Sequence, residues 1–100
     1  MAKNFRITSR RKADGLHLTL NGDFDGMSAM ELVYALKEYA GLAHTIYIET
    51  EGIRKLFPFG LDVFQKHFCF TPAAAGKVVF SGSPALQLAP RGISFSESRN

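Results

Sequence analysis

The chain has 100 residues, of which 46% are apolar, and a formal net charge of +3. Its one cysteine, Cys69, excludes an internal disulfide and a multi-cysteine metal site, and no run approaches the roughly 18 to 20 apolar residues of a membrane-spanning helix. The basic N-terminus lacks the apolar stretch of a signal peptide, so we expect one cytoplasmic domain over residues 1–100.

The first part of the chain predicts a β-hairpin. Phe5 and Ile7 alternate with polar residues, which indicates a strand at about 4–9. The Asp-Gly pair of "KADG" is typical of a hairpin turn. The stretch "LHLTLNG" then predicts a half-buried second strand, antiparallel to the first, with one apolar face: Leu16, Leu18 and Leu20.

The positive charge is concentrated in this hairpin. Five cations precede the first acid, Asp14, whereas seven cations and nine acids make up the rest of the chain. Such a patch could bind nucleic acid or anionic membrane. It could equally keep an edge strand from pairing with other chains. The residues concerned are Arg6, Arg10, Arg11 and Lys12.

The next segment, "DFDGMSAMELVYALKEYAG", predicts an amphipathic helix. Ser28 and Glu31 have the spacing of a capping box, and Gly41 is placed to end the helix. The turn before it contains Asp23 and Asp25, which we interpret as turn and cap residues. The predicted buried face consists of Leu32, Val33, Leu36, Tyr39 and Ala40.

The remaining segments predict a third strand in "HTIYIET", a loop "EGIRKLFPFG", and a second helix at about 61–68 that buries Leu61, Phe64 and Phe68. A fourth strand, "GKVVFSG", is apolar enough for burial on both faces. A helical turn in "SPALQLAP", an edge strand "GISFS" and a polar tail at 97–100 follow. This order predicts an α/β fold: a mixed four- to five-stranded β-sheet with an N-terminal β-hairpin and two to three α-helices packed against it.

The sequence contains no recognisable catalytic or metal-binding motif. Its histidines, His17, His44 and His67, lie on separate predicted elements, and Cys69 has no evident group to activate it. We therefore expect no enzymatic activity, no metal and no cofactor. Most phenylalanines fall at core positions, but Phe57 and Phe59 flank Pro58 in a loop, where they could contact a partner or fold back onto the core.

Two stretches resemble the STAS family, whose founding members are bacterial anti-sigma-factor antagonists. In "LHLTLNGDFDGMSAMELVYAL", Gly22 and Asp25 stand at the Gly and Asp positions of the family's "G-x-x-D" turn. In "TIYIETEGIRKLFPFGLDVFQKHF", Gly60 and Leu61 match the "G-L" of its "D-S-S/T-G-L" signature. The resemblance covers about residues 5–82.

The resemblance implies a non-catalytic protein-interaction module that regulates bacterial signalling or transcription. Its partner would be an anti-sigma kinase or another signalling or transport subunit. In the family, the loop before "G-L" carries a serine or threonine that a kinase phosphorylates; here Phe57, Pro58 and Phe59 carry no hydroxyl, so that switch is absent. The predicted partner-binding residues are Asp25, Phe57, Pro58, Phe59, Gly60, Leu61 and Phe64.

Two other functions remain open at this point. One is nucleic-acid binding through the N-terminal basic patch. The other is a small ligand or anion held at the N-terminus of the second helix, whose first N–H groups have no partner within the helix. The sequence leaves the oligomeric state undecided.

Overall fold

The protein is described from a computed structural model, in which residues 4–68, 78–84 and 94–96 are placed. They form a sheet of five strands in the order β1-β2-β3-β4-β5. The first pair is antiparallel and the other pairs are parallel, which confirms the predicted mixed α/β sheet. Most of the helical turn predicted in "SPALQLAP", residues 85–90, and the tail at 97–100 lie outside the described residues. The elements are β1 (Arg6–Lys12), β2 (Gly15–Phe24), α1 (Gly26–Tyr39), β3 (Ile46–Leu56), α2 (Pro58–Phe68), β4 (Val78–Ser81) and β5 (Ser94–Ser96).

The period-2 pattern of the strands places the core on one face of the sheet. Alternate residues of β2, β3 and β4 are buried, whereas their neighbours, such as Thr19 and Tyr47, are half-buried on the opposite, open face. Both helices pack against one another and therefore share the buried face. No helix in the described part of the chain is long and apolar enough to cross a membrane. The buried apolar residues are Leu16, Leu18, Leu20, Phe24, Ala29, Leu32, Val33, Leu36, Ala40, Ile46, Ile48, Ile53, Phe64, Phe68, Val78 and Phe80.

The predicted capping box of Ser28 and Glu31 is wrong, because helix α1 begins earlier in the chain. Asp25 is the N-cap residue, and its Oδ1 accepts a hydrogen bond from the backbone N–H of Ser28 at 2.9 Å. Ser28 lies within the first turn and is buried, with its hydroxyl 2.9 Å from the carbonyl oxygen of Asp23. Glu31 is exposed. The carboxylate caps the helix because β2 ends directly before it, so the chain turns at Asp25.

The segment predicted to be a loop before α2 is mostly regular structure. Strand β3 continues to Leu56, and two irregularities give it one extra residue each against β2, between Thr19 and Asn21 and between Gly22 and Asp23. Helix α2 begins at Pro58, three residues before the predicted start. The carbonyl oxygen of Phe57 accepts the first helical hydrogen bond, from Leu61 at 3.1 Å.

Candidate functional site

The candidate site lies where two parallel strands end side by side. Phe24, the last residue of β2, is paired with Leu56, the last residue of β3. Each strand passes into a helix within two residues, so α1 and α2 both begin at this edge of the sheet. The N–H of Phe57 donates to the carbonyl oxygen of Phe24 at 3.0 Å and ties the two strand ends together. The carboxyl ends of parallel strands are the usual position of binding sites in such sheets.

Gly60 allows the first turn of α2 to lie directly against the turn before α1. A Cβ atom at Gly60 would stand 2.8 Å from the carbonyl oxygen of Phe24 and 2.9 Å from the carbonyl group of Asp25. These are backbone atoms, which cannot move aside as the end of a side chain can. Gly60 is buried, so its role is to permit this approach.

Exposed apolar side chains cover this junction. Phe59 is 69% exposed, Met27 54% and Phe57 38%, and Pro58 between the two rings is also exposed. The ring of Phe59 lies over Gly26, where a Cβ atom would come within 2.8 Å of it. We call Met27, Phe57, Pro58 and Phe59 the apolar cap. It lies at the N-termini of both helices.

The other predicted partner-binding residues lie around or beneath the apolar cap. Asp25 forms the turn beside it, and Leu61 is half-buried against the core. Phe64 is fully buried, so its side chain cannot touch a partner of the folded protein. The prediction that Phe64 contacts a partner is therefore wrong. Its ring packs in the core instead.

Two cations border the apolar cap. The Nζ of Lys55 stands 5.7 Å from the centre of the Phe57 ring, which is a cation–π distance. The guanidinium of Arg54 lies 3.7 Å from Oδ1 of Asp23, an oxygen that makes no hydrogen bond among the described residues.

A shallow depression of about 200 Å³ adjoins the end of β3, lined by Ile53, Arg54, Leu56, Ser83 and Pro84. The N-terminus of α2 has one backbone N–H group fewer for an anion than a helix that begins with another residue, because Pro58 has none.

A polar cluster on the open face of the sheet was missed by the sequence analysis. His17 contacts two carboxylates: Nε2 lies 2.9 Å from Asp14 Oδ1, and Nδ1 lies 3.2 Å from Glu49 Oε2. Its ring also stacks on Tyr47 at 4.5 Å. The hydrogen bond with His17 lowers the pKa of Asp14 below its ordinary value. The register of β2 against β3, which a single sequence does not reveal, brings these residues together.

This cluster does not form a catalytic centre. Both ring nitrogens of His17 are engaged by carboxylates, so neither is directed at a nucleophile. The hydroxyl of Thr19 donates to Glu49 at 3.4 Å. Within 4–68, 78–84 and 94–96, no group of three or more His, Cys, Asp or Glu residues is arranged to hold a metal ion.

No protein-family model matches this chain, and no curated protein is significantly similar to it in sequence. A solved structure does match: the anti-sigma factor antagonist SpoIIAA in its unphosphorylated form, with a TM-score of 0.64 over 95% of this chain and 89% of that chain. The fold is the STAS fold. Because the sequence identity is only 15%, the likeness establishes the architecture and nothing finer. The predicted STAS-like fold class is confirmed.

Asp25 connects the stability of this protein to pH. Burial raises the pKa of Asp25, hydrogen bonds from the N–H and hydroxyl of Ser28 lower it, and the net pKa lies below the ordinary 3.8. A folded-state pKa below the unfolded value gives stability that is present above pH 3.8 and is lost as the pH falls through the folded pKa. We expect Asp25→Ala to lower the free energy of unfolding at pH 7 by about 1 kcal/mol, measured by urea denaturation.

The neutral variant Asp25→Asn separates capping from charge. Asparagine caps helices as well as aspartate, so this variant should keep most of the stability at pH 7 and lose less than the wild type on acidification. The control is Asp62→Asn, which removes an exposed carboxylate of α2 that is 3.8 Å from Lys66. An acid-unfolding curve for Asp25→Asn that coincides with the wild type would contradict the assignment.

Proposed function

We propose that this protein is a STAS-family regulator, similar to anti-sigma factor antagonists, that acts by binding a protein partner through the apolar cap. The observation that carries the proposal is the exposure of Phe59, 69%, at the start of α2. A phenylalanine so exposed contributes little to the core. Met27 and Phe57 are exposed at the same end of the molecule, and exposed apolar groups of this kind mark protein-binding surfaces.

The chemistry of the apolar cap indicates constitutive binding. The residue before Gly60 is Phe59, and neither it nor Pro58 or Phe57 can accept a phosphoryl group. Pro58 also fixes its own φ angle and begins α2, so the cap is held by a helix rather than by a loop. A rigid apolar surface loses little conformational entropy on binding. We therefore propose a bacterial, cytoplasmic adaptor that engages a signalling subunit without a phosphorylation switch and without catalysing a reaction.

The test is to compare Phe59→Asp with the wild type in binding and in stability. The change should weaken partner binding by about 30-fold or more, as loss of a central aromatic contact does. Its midpoint of thermal unfolding should stay within a few degrees, because the ring is largely in solvent. Affinity capture from nuclease-treated lysate of the source cells identifies the partner, and titration with that purified partner gives the affinity.

A matched control is Leu42→Asp. Leu42 is 59% exposed, follows α1 at the opposite end from the apolar cap, and undergoes the same change of charge. Capture of the partner should survive in this control. If Phe59→Asp captured the partner as well as the wild type does, the apolar cap would not be the binding surface. A large fall in the thermal midpoint of Phe59→Asp would show that the ring stabilises the fold instead.

A further inference from the structure

Strand β1 presents a row of unpaired cations at the edge of the sheet. All of its basic residues are exposed: Arg6, Arg10, Arg11 and Lys12. None of them makes an ion pair with another residue in the described part of the chain. Among the described strands β1 pairs with β2 alone, so its outer edge also carries backbone N–H and C=O groups without a strand partner.

The cations lie along one edge strand, and none of them is within ion-pair distance of a described carboxylate. Lys12 is on the open face of the sheet, whereas Arg11 lies opposite Leu16, on the other face. Arg6 and Arg10 lie opposite Asn21 and His17 in the register, on the open face of the sheet. Alternate residues of a strand are spaced by about 6.6 Å, so β1 extends its cations over about 20 Å. Two carboxylates contact His17, the residue opposite Arg10, and each of them contacts a different ring nitrogen.

We propose that β1 binds the phosphate backbone of nucleic acid, without sequence preference, as a second interaction surface separate from the apolar cap. A linear row of cations with free backbone N–H groups fits a linear row of phosphates. The remainder of the chain carries more acids than cations, so a polyanion is attracted to this edge and repelled elsewhere. The proposal does not depend on the proposed function.

The side chains between the cations favour nucleic acid over a membrane surface. Thr8 and Ser9 are exposed and polar, and Ile7 is half-buried against the core. No exposed apolar residue of β1 is therefore available to insert into lipid, which peripheral membrane segments require. Anionic lipid would be held by the cations alone.

The described residues of this face offer no platform for reading bases. Single-stranded nucleic acid is bound by exposed aromatic rings on which bases stack. Among those residues the open face carries the rings of Tyr47 and His17, which stack on each other at 4.5 Å, and the His17 side chain is only 13% exposed. Contact should therefore be made with phosphates only, and the affinity should be set by charge and salt.

The test is a salt titration with a short, fluorescein-labelled DNA duplex of mixed sequence, followed by fluorescence anisotropy. Four phosphate contacts predict that the affinity falls about 150-fold between about 50 and 200 mM salt. The variant Arg6→Gln/Arg10→Gln keeps two contacts and should fall only about 12-fold over the same range. A single-stranded RNA probe should give a shallower dependence, about 50-fold, with the wild-type protein.

Two control variants separate position from total charge. Lys37→Gln/Lys66→Gln removes two exposed cations from the helices, changes the net charge equally, and should leave the salt dependence as in the wild type. Arg6→Lys/Arg10→Lys keeps the charge and should also have the salt dependence of the wild type. Phe59→Asp should bind the duplex within about twofold of the wild type, which separates this surface from the apolar cap.

Three results would overturn the proposal. The first is no binding of the duplex at about 50 mM salt. The second is an equal loss of affinity in Arg6→Gln/Arg10→Gln and Lys37→Gln/Lys66→Gln, which would show that net charge rather than β1 is responsible. The third is binding to phosphatidylserine vesicles without binding to either nucleic acid, which would show that β1 binds a membrane surface.

Discussion

Replacing Phe64 by alanine is expected to lower the free energy of unfolding by about 3–5 kcal/mol, the largest effect of any single change considered. Phe64 is fully buried and contacts the rings of three other phenylalanines. Its ring centre lies 5.1 Å from that of Phe68, 6.1 Å from Phe80 and 6.3 Å from Phe24. These rings join α2 to β2 and β4, so a cavity there loosens the helix that carries the apolar cap.

The measurement is urea denaturation followed by circular dichroism, with Lys66→Ala as the control on the same helix. Lys66 is exposed and its ion pair with Asp62 is long, 3.8 Å, so its removal should change the free energy of unfolding by less than about 0.5 kcal/mol. A loss below about 1 kcal/mol for Phe64→Ala would mean that the aromatic cluster relaxes around the cavity and does not hold α2 in place.

The order of the elements and most of the core could be predicted because they depend on periodicity. Leu16, Leu18 and Leu20 alternate in β2, and all three are buried as predicted. The apolar face of α1 was also predicted correctly for Leu32 and Leu36. These patterns report which side of an element faces the core, and that requirement acts on each element separately.

The extent of β3 could not be predicted because it depends on a neighbouring strand. The stretch "EGIRKL" contains a glycine and three charges, which is typical of a loop. In the structure these residues pair with the end of β2, and two extra residues in β3 break the alternation that would have marked a strand. Helix α2 also begins earlier than predicted, since the longer β3 leaves Phe57 as the only residue between strand and helix.

The residues of the proposed site were singled out from the sequence, but the exposure of their side chains was not predicted. Phe57, Pro58 and Phe59 drew attention because two large rings flank a proline before a glycine. Whether such rings are exposed depends on the space between the two helices. Gly60 permits close contact with the backbone before α1, and Gly26 leaves room for the ring of Phe59. Gly22 is a different case: its φ of +101° is a conformation that glycine adopts readily, and the sequence resemblance had marked it.

Gly60→Ala should destabilise the protein by about 1–3 kcal/mol, although alanine is the better helix former. The new methyl group would meet the carbonyl oxygen of Phe24 at 2.8 Å and the backbone of Asp25 at 2.9 Å. Relief requires α2 to move away from the turn before α1, which would shift Phe59 relative to Gly26 and weaken partner binding as well. Urea denaturation gives the stability, and titration with the captured partner gives the affinity.

Gly41→Ala is the matched control, because nothing lies within 4 Å of a Cβ atom at Gly41. Its φ is also outside the left-handed region, so alanine should be neutral there or should stabilise the protein by up to about 1 kcal/mol through the unfolded state. The two substitutions are chemically identical, so a difference in their effects reports the surroundings of each glycine. If Gly60→Ala were as stable as Gly41→Ala, the helix N-termini would not be in backbone contact, and the apolar cap would lose the rigid base on which its binding role depends.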